Sequence, residues 1–312
     1  MIITLDDQEG VSIEVVGGKA AQLVRLKKSN FSVPDWFCVP TQAFHEFLSM
    51  HDAASELMAN GVDRRDGLLK EMLKTPYRPD WRSELDKLAQ ERLDKSVASA
   101  LVVRSSANVE DGANAAYAGQ FDTFLGVDQV EEVWEKIKAC WLSVFSDSAM
   151  EYTRNLNPTE KPAMAVVVQD FIPADVSGVM FTANPMTKND DECVIESTWG
   201  LGEALVGGEV VPDQFVMKRA KDQAGKLEIQ TKLGTKTKGL FWNGLSQKIE
   251  ERKNARYFQR QASLHEEQLK KLVRLGEQIE TCYGRPQDIE WAIHEDHIYI
   301  LQTRPITTGG VS

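Results

Sequence analysis

Short apolar runs bounded by glycine, proline or small polar residues are distributed along much of the chain. Runs of this length and composition are typical of strands. They predict strands within five stretches, the last of which also contains a glycine turn: 101–106, 121–127, 163–172, 177–185 and 192–205. Two further runs inside 213–234 predict a hairpin.

Two long stretches instead repeat their apolar residues at helical spacing. In 131–155 this repeat places one apolar set on a single helix face. In 263–284 we predict a helix that is capped by Ser263, carries Glu266 three residues later and ends at Gly284. Strands and helices are mixed without strict alternation, which favours an α+β fold with mainly antiparallel sheets and flanking helices. The apolar set of the first helix is Val133, Ile137, Trp141, Val144 and Phe145.

The stretch 287–307 predicts a hairpin with an unusual polar set. Side chains alternate along a strand, so Asp288 and Glu290 share one face, as do Gln302 and Arg304. We expect a turn with an odd number of residues and Asp288 opposite Gln302, because this places all four polar groups on one side. A solvated outer face is the alternative interpretation. The apolar set predicted for the other side is Trp291, Ile293, Tyr299 and Leu301.

Composition and charge restrict the class of protein. With 312 residues, 42% of them hydrophobic, the chain is long enough for two domains with sizeable cores. A net charge of −11 argues against nucleic acid or an anionic membrane as the main partner. No apolar run reaches membrane-spanning length, the N-terminus does not resemble a signal peptide, and the four cysteines are widely spaced. We therefore expect a cytoplasmic protein.

A glycine turn at Gly17 and Gly18 delivers Lys19 at the start of a predicted helix. Backbone N–H groups at a helix start, together with the lysine charge, bind anions well. A turn that only caps the helix explains the same residues. The spacing does not match a Walker A loop.

Other polar residues suit a nucleotide. Arg104 ends a predicted strand, and a guanidinium binds two phosphate oxygens at once. The loop of small residues that follows is either a lid over a ligand or a surface loop. Gly200 and Gly202 allow close backbone approach to a ligand. Glu290 and Gln302 offer the oxygen ligands that Mg²⁺ prefers, so the whole set describes an ATP–magnesium site without a Walker motif.

Seven segments resemble, in order and approximate spacing, the nucleotide-binding domain of the phosphoenolpyruvate synthase and pyruvate phosphate dikinase family, which includes rifamycin phosphotransferase. They cover nearly the whole chain. The resemblance implies a two-lobed ATP-grasp-like fold, with residues 1–170 as one lobe, a lid loop at about 105–120, and residues 171–312 as the other. The segments are VGGKAAQL, VRSSANVEDG, YAGQFDTFL, CWLSVFSDSAMEY, VVVQDFIPADVSGVMFTANP, GLGEALVGGEVVPDQF and DIEW…LQTRPIT.

The resemblance also implies roles for residues of the first lobe. Lys19 and Arg104 are expected to hold phosphates and to take part in catalysis. Gly119 and Thr123 are expected to belong to the lid that closes over them. Gln169 is expected to lie near the adenine, where the two lobes meet.

In the second lobe the resemblance implies that the polar face of the hairpin is the floor of the ATP site. Glu290 and Gln302 are expected to hold Mg²⁺. Arg304 is expected to neutralise the phosphates during transfer and is the third catalytic residue. Asp288 matches a further functional acid in part of the family. The implied cofactors are ATP and Mg²⁺.

The family reaction implies a phosphorylated histidine. ATP phosphorylates a histidine on a separate mobile domain, AMP is released, and one phosphoryl group then passes to an acceptor at a third domain. The Thr-Ser-His motif of the carrier is missing here, none of the five histidines has that context, and no acceptor domain follows Thr308. We therefore expect only the ATP half of the reaction, with a carrier histidine in trans or on a further domain and a small-molecule acceptor.

Two other functions stay open at this point. One is a stand-alone ATP-dependent kinase or ligase that acts directly on a small-molecule or carrier-bound substrate. The other is a non-catalytic nucleotide-binding or regulatory protein. The second is disfavoured by the joint presence of three expected phosphate-binding cations and two expected magnesium ligands, which a protein without activity does not need together. They are Lys19, Arg104, Arg304, Glu290 and Gln302.

Overall fold

The computed structural model describes most of the chain, with gaps. The described residues are 2–4, 11–51, 65–74, 79–108, 121–147, 149–150, 163–218 and 228–306. The chain divides into two compact units, Met1–Val24 with Asp35–Phe171 and Arg25–Pro34 with Ile172–Ser312. The assignment of residues 1–170 and 171–312 to two ATP-grasp lobes stays a prediction.

The first unit contains a five-stranded sheet in which all neighbouring strands are antiparallel. Its order is β1-β2-β5-β3-β4. The central strands β3 and β5 come from valine-rich runs, because β-branched residues pack well on a pleated surface. The strands are β1 (Ile3–Thr4), β2 (Trp36–Val39), β3 (Leu101–Ala107), β4 (Thr123–Val127) and β5 (Met164–Asp170).

Four helices form a hydrophobic core with one face of this sheet. They are α2 (Thr41–Ser49), α3 (Arg65–Lys74), α4 (Arg82–Lys95) and α5 (Val130–Leu142), and α1 (Ile13–Lys28) precedes them in the chain. The sheet contributes alternate residues such as Leu101, Val103 and Val168 to the core. The helix predicted over 131–155 ends earlier than expected, at Leu142, and a 3₁₀ turn follows. All five apolar residues predicted for its buried face are buried.

The second unit contains a six-stranded antiparallel sheet, in the order β13-β12-β6-β7-β8-β9. Its strands are β6 (Val176–Phe181), β7 (Glu192–Trp199), β8 (Asp213–Lys218), β9 (Ile229–Lys232), β12 (Gln287–His294) and β13 (His297–Pro305). A separate hairpin, three helices and the segment Arg25–Pro34, which includes the end of α1, complete the described part of this unit. The hairpin strands and the helices are β10 (Lys238–Asn243), β11 (Lys248–Lys253), α6 (Glu203–Val206), α7 (Arg256–Arg260) and α8 (Glu266–Tyr283). The sheets confirm the predicted α+β class with mainly antiparallel strands.

Helix α8 packs on one face of the six-stranded sheet. A Cβ atom added at Gly276 would lie 2.8 Å from the Met180 side chain, so the glycine permits close packing of helix on sheet. None of the helices in the described ranges combines the length and the hydropathy that crossing a bilayer requires.

The N-terminal cap of α8 differs from the predicted one. His265, not Ser263, is the capping residue: its side chain accepts the Gln268 N–H, and the Gln268 side chain accepts the His265 N–H. Ser263 donates instead to the buried carboxylate of Asp213, through both its N–H and its hydroxyl. The predicted end at Gly284 is confirmed, with φ 69° in the left-handed region that glycine favours.

The hairpin of β12 and β13 has a two-residue turn, so the predicted odd turn is wrong. Glu295 and Asp296 form it with φ of 48° and 62°, as a tight hairpin turn requires. A β-bulge between the Glu290 and Trp291 pairings inserts one extra residue, Leu301, into β13. The bulge shifts the register by one residue, and this compensates for the even turn.

The bulge also changes which residues face each other. Asp288 lies opposite Arg304, and Glu290 lies opposite Gln302, so the four polar residues do share one face, as predicted. The apolar partners differ from the prediction. Trp291 pairs with Ile300 and Ile293 pairs with Ile298, in place of Tyr299 and Leu301.

Candidate functional site

The predicted site residues on the sheet of the first unit lie on one face. Arg104 on β3 pairs directly with Thr123 on β4. Val102, two residues before Arg104, pairs with Gln169 on β5. Cross-strand partners share a face, and so do residues two apart on a strand, so Arg104, Thr123 and Gln169 are on the same side of the sheet. The helical core occupies the other side.

Helix α1 lies on this same side and carries Lys19. The helix is interrupted at Gly17, whose φ of 74° and ψ of 174° are not helical. Ser106 on β3 donates its hydroxyl to the Val16 carbonyl at 2.8 Å and accepts the Ala20 N–H at 3.1 Å. Lys19 is in the first turn after the break and is 9% exposed. The predicted glycine turn is therefore a break inside α1 that is anchored to the strand of Arg104.

Part of the predicted lid cannot be placed. Gly119, with 109–120, lies outside the described residues. The start of the predicted loop, residues 105–107, continues strand β3. Asn108 follows, and its Oδ1 accepts the Ala163 N–H at 2.8 Å. The role of a lid stays a prediction.

The hairpin of the second unit brings its polar set together in two cross-strand pairs. In the first pair, Arg304 Nε donates to Asp288 Oδ2 at 2.8 Å, and Arg304 Nη2 lies 2.7 Å from the same oxygen in an ion pair. The second pair is Glu290 with Gln302. A charge-assisted hydrogen bond and an ion pair to the same oxygen hold the guanidinium in a fixed orientation on this face.

Asp288 is only 9% exposed, and its environment shifts the pKa of its carboxyl group. Burial raises the pKa of Asp288 above its ordinary value of 3.8, because the charged form loses hydration. The charge and hydrogen bonds of Arg304 lower this pKa, and the charge of Glu290 raises it, but burial has the largest effect. The pair thus combines a partly desolvated acid with a cation that favours its ionised form.

The Glu290–Gln302 pair fits a magnesium ion by its donor atoms. Directly paired side chains on neighbouring strands have Cβ atoms about 5 Å apart, so both oxygens can reach one ion. A carboxylate and an amide oxygen are ligands that Mg²⁺ accepts, with waters and phosphate oxygens completing its shell. No group of three or more His, Cys, Asp or Glu suited to a metal occurs in the part of the chain that the structure describes.

Two polar residues that the sequence did not single out share the face of this set. Val179 on β6 pairs with Glu290 on one side and with Glu196 on the other, and Glu196 pairs with Gln214 on β8. Gln214 Nε2 donates to Glu196 Oε1 at 3.0 Å. Helix α8 packs on the opposite face at Met180, so Glu196 and Gln214 lie in the same cross-strand row as Glu290 and Gln302, separated from them by Val179. Only the strand register reveals this row.

The glycine turn at Gly200 packs against the backbone of β10, and not against an open surface that a ligand could reach. A Cβ atom at Gly200, whose φ is 80°, would lie 2.1 Å from the Leu240 carbonyl oxygen. That same oxygen accepts the Leu201 N–H at 2.8 Å. The close backbone approach that we expected for a ligand is made here by β10 of the chain itself.

Two solved structures are similar to this chain. D-alanyl-alanine synthetase A from Vibrio cholerae is 10% identical, with a TM-score of 0.37, over 94% of this chain and 56% of that one. D-alanine-D-alanine ligase from Helicobacter pylori is 11% identical, with a TM-score of 0.32, over 94% of this chain and 54% of that one.

Sequence relatives match the chain along almost its full length. It is 36% identical to the probable phosphoenolpyruvate synthase of Archaeoglobus fulgidus, over 98% of this chain and 42% of the relative. It is 34% identical to the prodigiosin synthesizing transferase PigC of Serratia marcescens, over 99% of this chain and 33% of the relative. It is 33% identical to the rifampicin phosphotransferase of Bacillus subtilis, over 99% of this chain and 36% of the relative. The chain thus spans less than half the length of these relatives.

The family model for the AMP/ATP-binding domain of pyruvate phosphate dikinase matches residues 13–311. This range includes all of the predicted phosphate, magnesium and adenine positions. The chain therefore belongs to the pyruvate phosphate dikinase AMP/ATP-binding domain family.

Proposed function

We propose that this chain is an ATP-dependent phosphotransferase module that uses Mg-ATP to phosphorylate a histidine on a separate carrier domain or chain, with AMP as the nucleotide product. The observation that carries the proposal is the polar face of the hairpin. There Arg304, whose guanidinium is held by the Asp288 carboxylate, is next to a Glu290–Gln302 pair suited to magnesium. This arrangement occurs in a chain of an AMP/ATP-binding family.

Residues of the first unit are proposed to bind the nucleotide. Lys19 and Arg104 supply positive charge to the phosphates, and Gln169 contacts the adenine. Thr123 and Gly119 belong to the segment that closes over the phosphates. The shared face of Arg104, Thr123 and Gln169 supports this assignment, because one ligand can reach all three side chains from that side.

Residues of the second unit are proposed to act on the transferred group. Glu290 and Gln302 would hold Mg²⁺, which when bound shields phosphate charge and orients the phosphate oxygens. Asp288 keeps the Arg304 guanidinium oriented before the reaction begins. A cation held in advance stabilises the charge that develops on the phosphates without having to reorganise.

The proposed step balances as a displacement at the β-phosphorus. The histidine nitrogen of the carrier forms a bond to that atom, and the bond to the oxygen bridging the α- and β-phosphates breaks. That oxygen leaves with AMP, the carrier keeps a pyrophosphoryl group, and the imidazole proton is lost to solvent. Such a transfer needs little covalent help from the protein, so orientation and charge are the contributions expected of these residues.

A second candidate function is a stand-alone ATP-dependent kinase or ligase that acts directly on a small molecule. It is favoured by relatives whose names specify a small-molecule substrate or product, rifampicin and prodigiosin. The acceptor of this chain is then a small molecule, and no carrier histidine is needed.

A nucleotide product assay separates these functions. The purified chain is incubated with Mg²⁺ and ATP in three mixtures: alone, with a candidate histidine carrier domain, and with cell extract as a source of small-molecule acceptors. AMP is then separated from ADP. We expect AMP, and a labelled carrier, only when the carrier is present. ADP, or AMP with pyrophosphate and a modified small molecule, would favour the second candidate. ATP binding without turnover in every mixture would contradict both.

Replacing Glu290 tests the magnesium assignment. We expect Glu290→Ala to weaken Mg²⁺-dependent ATP binding by at least about tenfold, because the pair loses its only carboxylate. Binding measured in EDTA should change little. Calorimetric titrations with and without Mg²⁺ check this. Glu277→Ala, which removes an exposed carboxylate from α8, is the control, and an equal Mg²⁺ response in both variants would show that the hairpin pair does not hold the ion.

A further inference from the structure

The side chain of Ser106, on β3, takes the place of a backbone hydrogen bond of α1. In a continuous helix the Ala20 N–H would bond to the Val16 carbonyl, four residues earlier. The Ser106 hydroxyl stands between these two groups, accepting from Ala20 N at 3.1 Å and donating to Val16 O at 2.8 Å. The side chain of a strand thus replaces one bond of the helix, which is a recognised cause of a sharp helix break.

The break also requires Gly17. A Cβ atom at that position would lie 1.9 Å from the Ser106 carbonyl oxygen, and the φ of 74° disfavours other residues. The backbone of α1 therefore touches β3 at Ser106, while the hydroxyl satisfies the donor and the acceptor that the break exposes. Ser106 is fully buried, so water is not available to replace it.

The two elements joined at this point carry the two cations proposed for the phosphates. Lys19 follows the break by two residues on α1. Arg104 precedes Ser106 by two residues on β3, so both side chains are on the same face of the sheet. The hydroxyl thus joins the turn that carries one cation to the strand that carries the other.

We propose that Ser106 is a positioning residue for nucleotide binding, which holds Lys19 in place relative to Arg104 so that both cations meet the phosphates of one ATP. This inference rests on the proposed function, in which Lys19 and Arg104 bind phosphate. Ser106 itself does not touch the nucleotide. Its effect on binding must therefore pass through Lys19.

The adjacent serine provides a matched control. Ser105 is equally buried, but its side chain is on the opposite face of β3, towards the helical core. Its hydroxyl has no hydrogen-bond partner within the described ranges. Ser105→Ala and Ser106→Ala thus remove the same atom from neighbouring buried positions. Only Ser106→Ala removes the hydrogen bonds to Val16 and Ala20 at the break in α1.

A double-mutant cycle tests the proposal. The dissociation constant of Mg-ATP is measured for the wild type, Ser106→Ala, Lys19→Met and the double variant, with Ser105→Ala alongside. We expect Ser106→Ala to weaken binding at least about tenfold and Ser105→Ala to leave it unchanged. In the double variant we expect no loss beyond that of Lys19→Met, because groups that act through one another are not additive. If Ser106→Ala does not fold, Ser106→Cys, of similar size and weaker hydrogen bonding, replaces it.

The outcomes distinguish the positioning role of Ser106 from the proposed phosphate-binding role of Lys19. Additive losses, or equal binding in Ser106→Ala and Ser105→Ala, would overturn the positioning role while Lys19→Met still weakens binding. Full affinity in Lys19→Met would overturn the phosphate assignment of Lys19 itself, and the inference with it. A lower melting temperature of Ser106→Ala without weaker binding would assign the hydroxyl to stability alone.

Discussion

Arg304→Ala is expected to slow phosphoryl transfer about a thousandfold while ATP binding largely survives. Arg304 donates from Nε to Asp288 Oδ2 and has Nη2 in an ion pair with the same oxygen, so the guanidinium is held in one orientation before any reaction. A cation held in this way interacts most strongly with the charge that develops during transfer. It adds less to binding of the ground state, and its loss therefore appears in kcat more than in the affinity for ATP.

Single-turnover rates and calorimetric ATP affinities, measured on the same preparations, check this expectation. Arg304→Lys is the informative second variant: it keeps the charge but loses the planar fork, so we expect a rate between those of wild type and Arg304→Ala. Arg274→Ala, on the exposed side of α8, is the control for removing a surface arginine. Wild-type turnover in Arg304→Ala would remove this residue from the mechanism.

Asp213→Ala is expected to lower the free energy of unfolding by about 3–5 kcal/mol. Asp213 and Lys236 form an ion pair in which both side chains are fully buried. The carboxylate also accepts the Gly234 N–H at 2.9 Å, and the N–H and hydroxyl of Ser263 at 2.7 Å and 2.8 Å. Its removal leaves the buried Lys236 ammonium without its carboxylate partner, and the N–H groups of Gly234 and Ser263 without this acceptor. Because the site is buried, water does not replace the carboxylate.

Urea denaturation of the wild type and variants measures this effect. Lys218 is on the same strand as Asp213, and Lys218→Ala breaks only an exposed pair with Glu228. It is the matched control, with an expected change within about 1 kcal/mol. The double variant Asp213→Leu with Lys236→Met should recover much of the loss, because it removes both charges and leaves neither unpaired. A change below about 1 kcal/mol for Asp213→Ala would contradict the structural role of the pair.

Local pattern was sufficient for several features of this protein. The valine-rich runs predicted β3 and β5, and Gly284 predicted the end of α8. The alternation of acids and apolar residues in β12 predicted which side chains share a face. These features depend on residues a few positions apart, whose relative directions are set by the period of a helix or strand.

Packing between distant segments decided the rest. The even turn and the bulge at Leu301 together set the hairpin register, and the odd turn predicted from side-chain sorting alone was wrong. Ser263 donates to the buried Asp213 carboxylate, and His265 is the residue that caps α8. Neither choice can be read from neighbours in sequence, because each depends on which distant group must be satisfied once water is excluded.

The candidate site shows the same division. The sequence by itself determined the side-chain chemistry available: the cations Lys19, Arg104 and Arg304, and the side-chain oxygens of Glu290 and Gln302. Tertiary structure alone decided that Arg304 is oriented by Asp288, and that Ser106 replaces a bond of α1. The physical reason is that residue type sets what a side chain can bind, whereas strand register and helix contact set which groups come within hydrogen-bond distance.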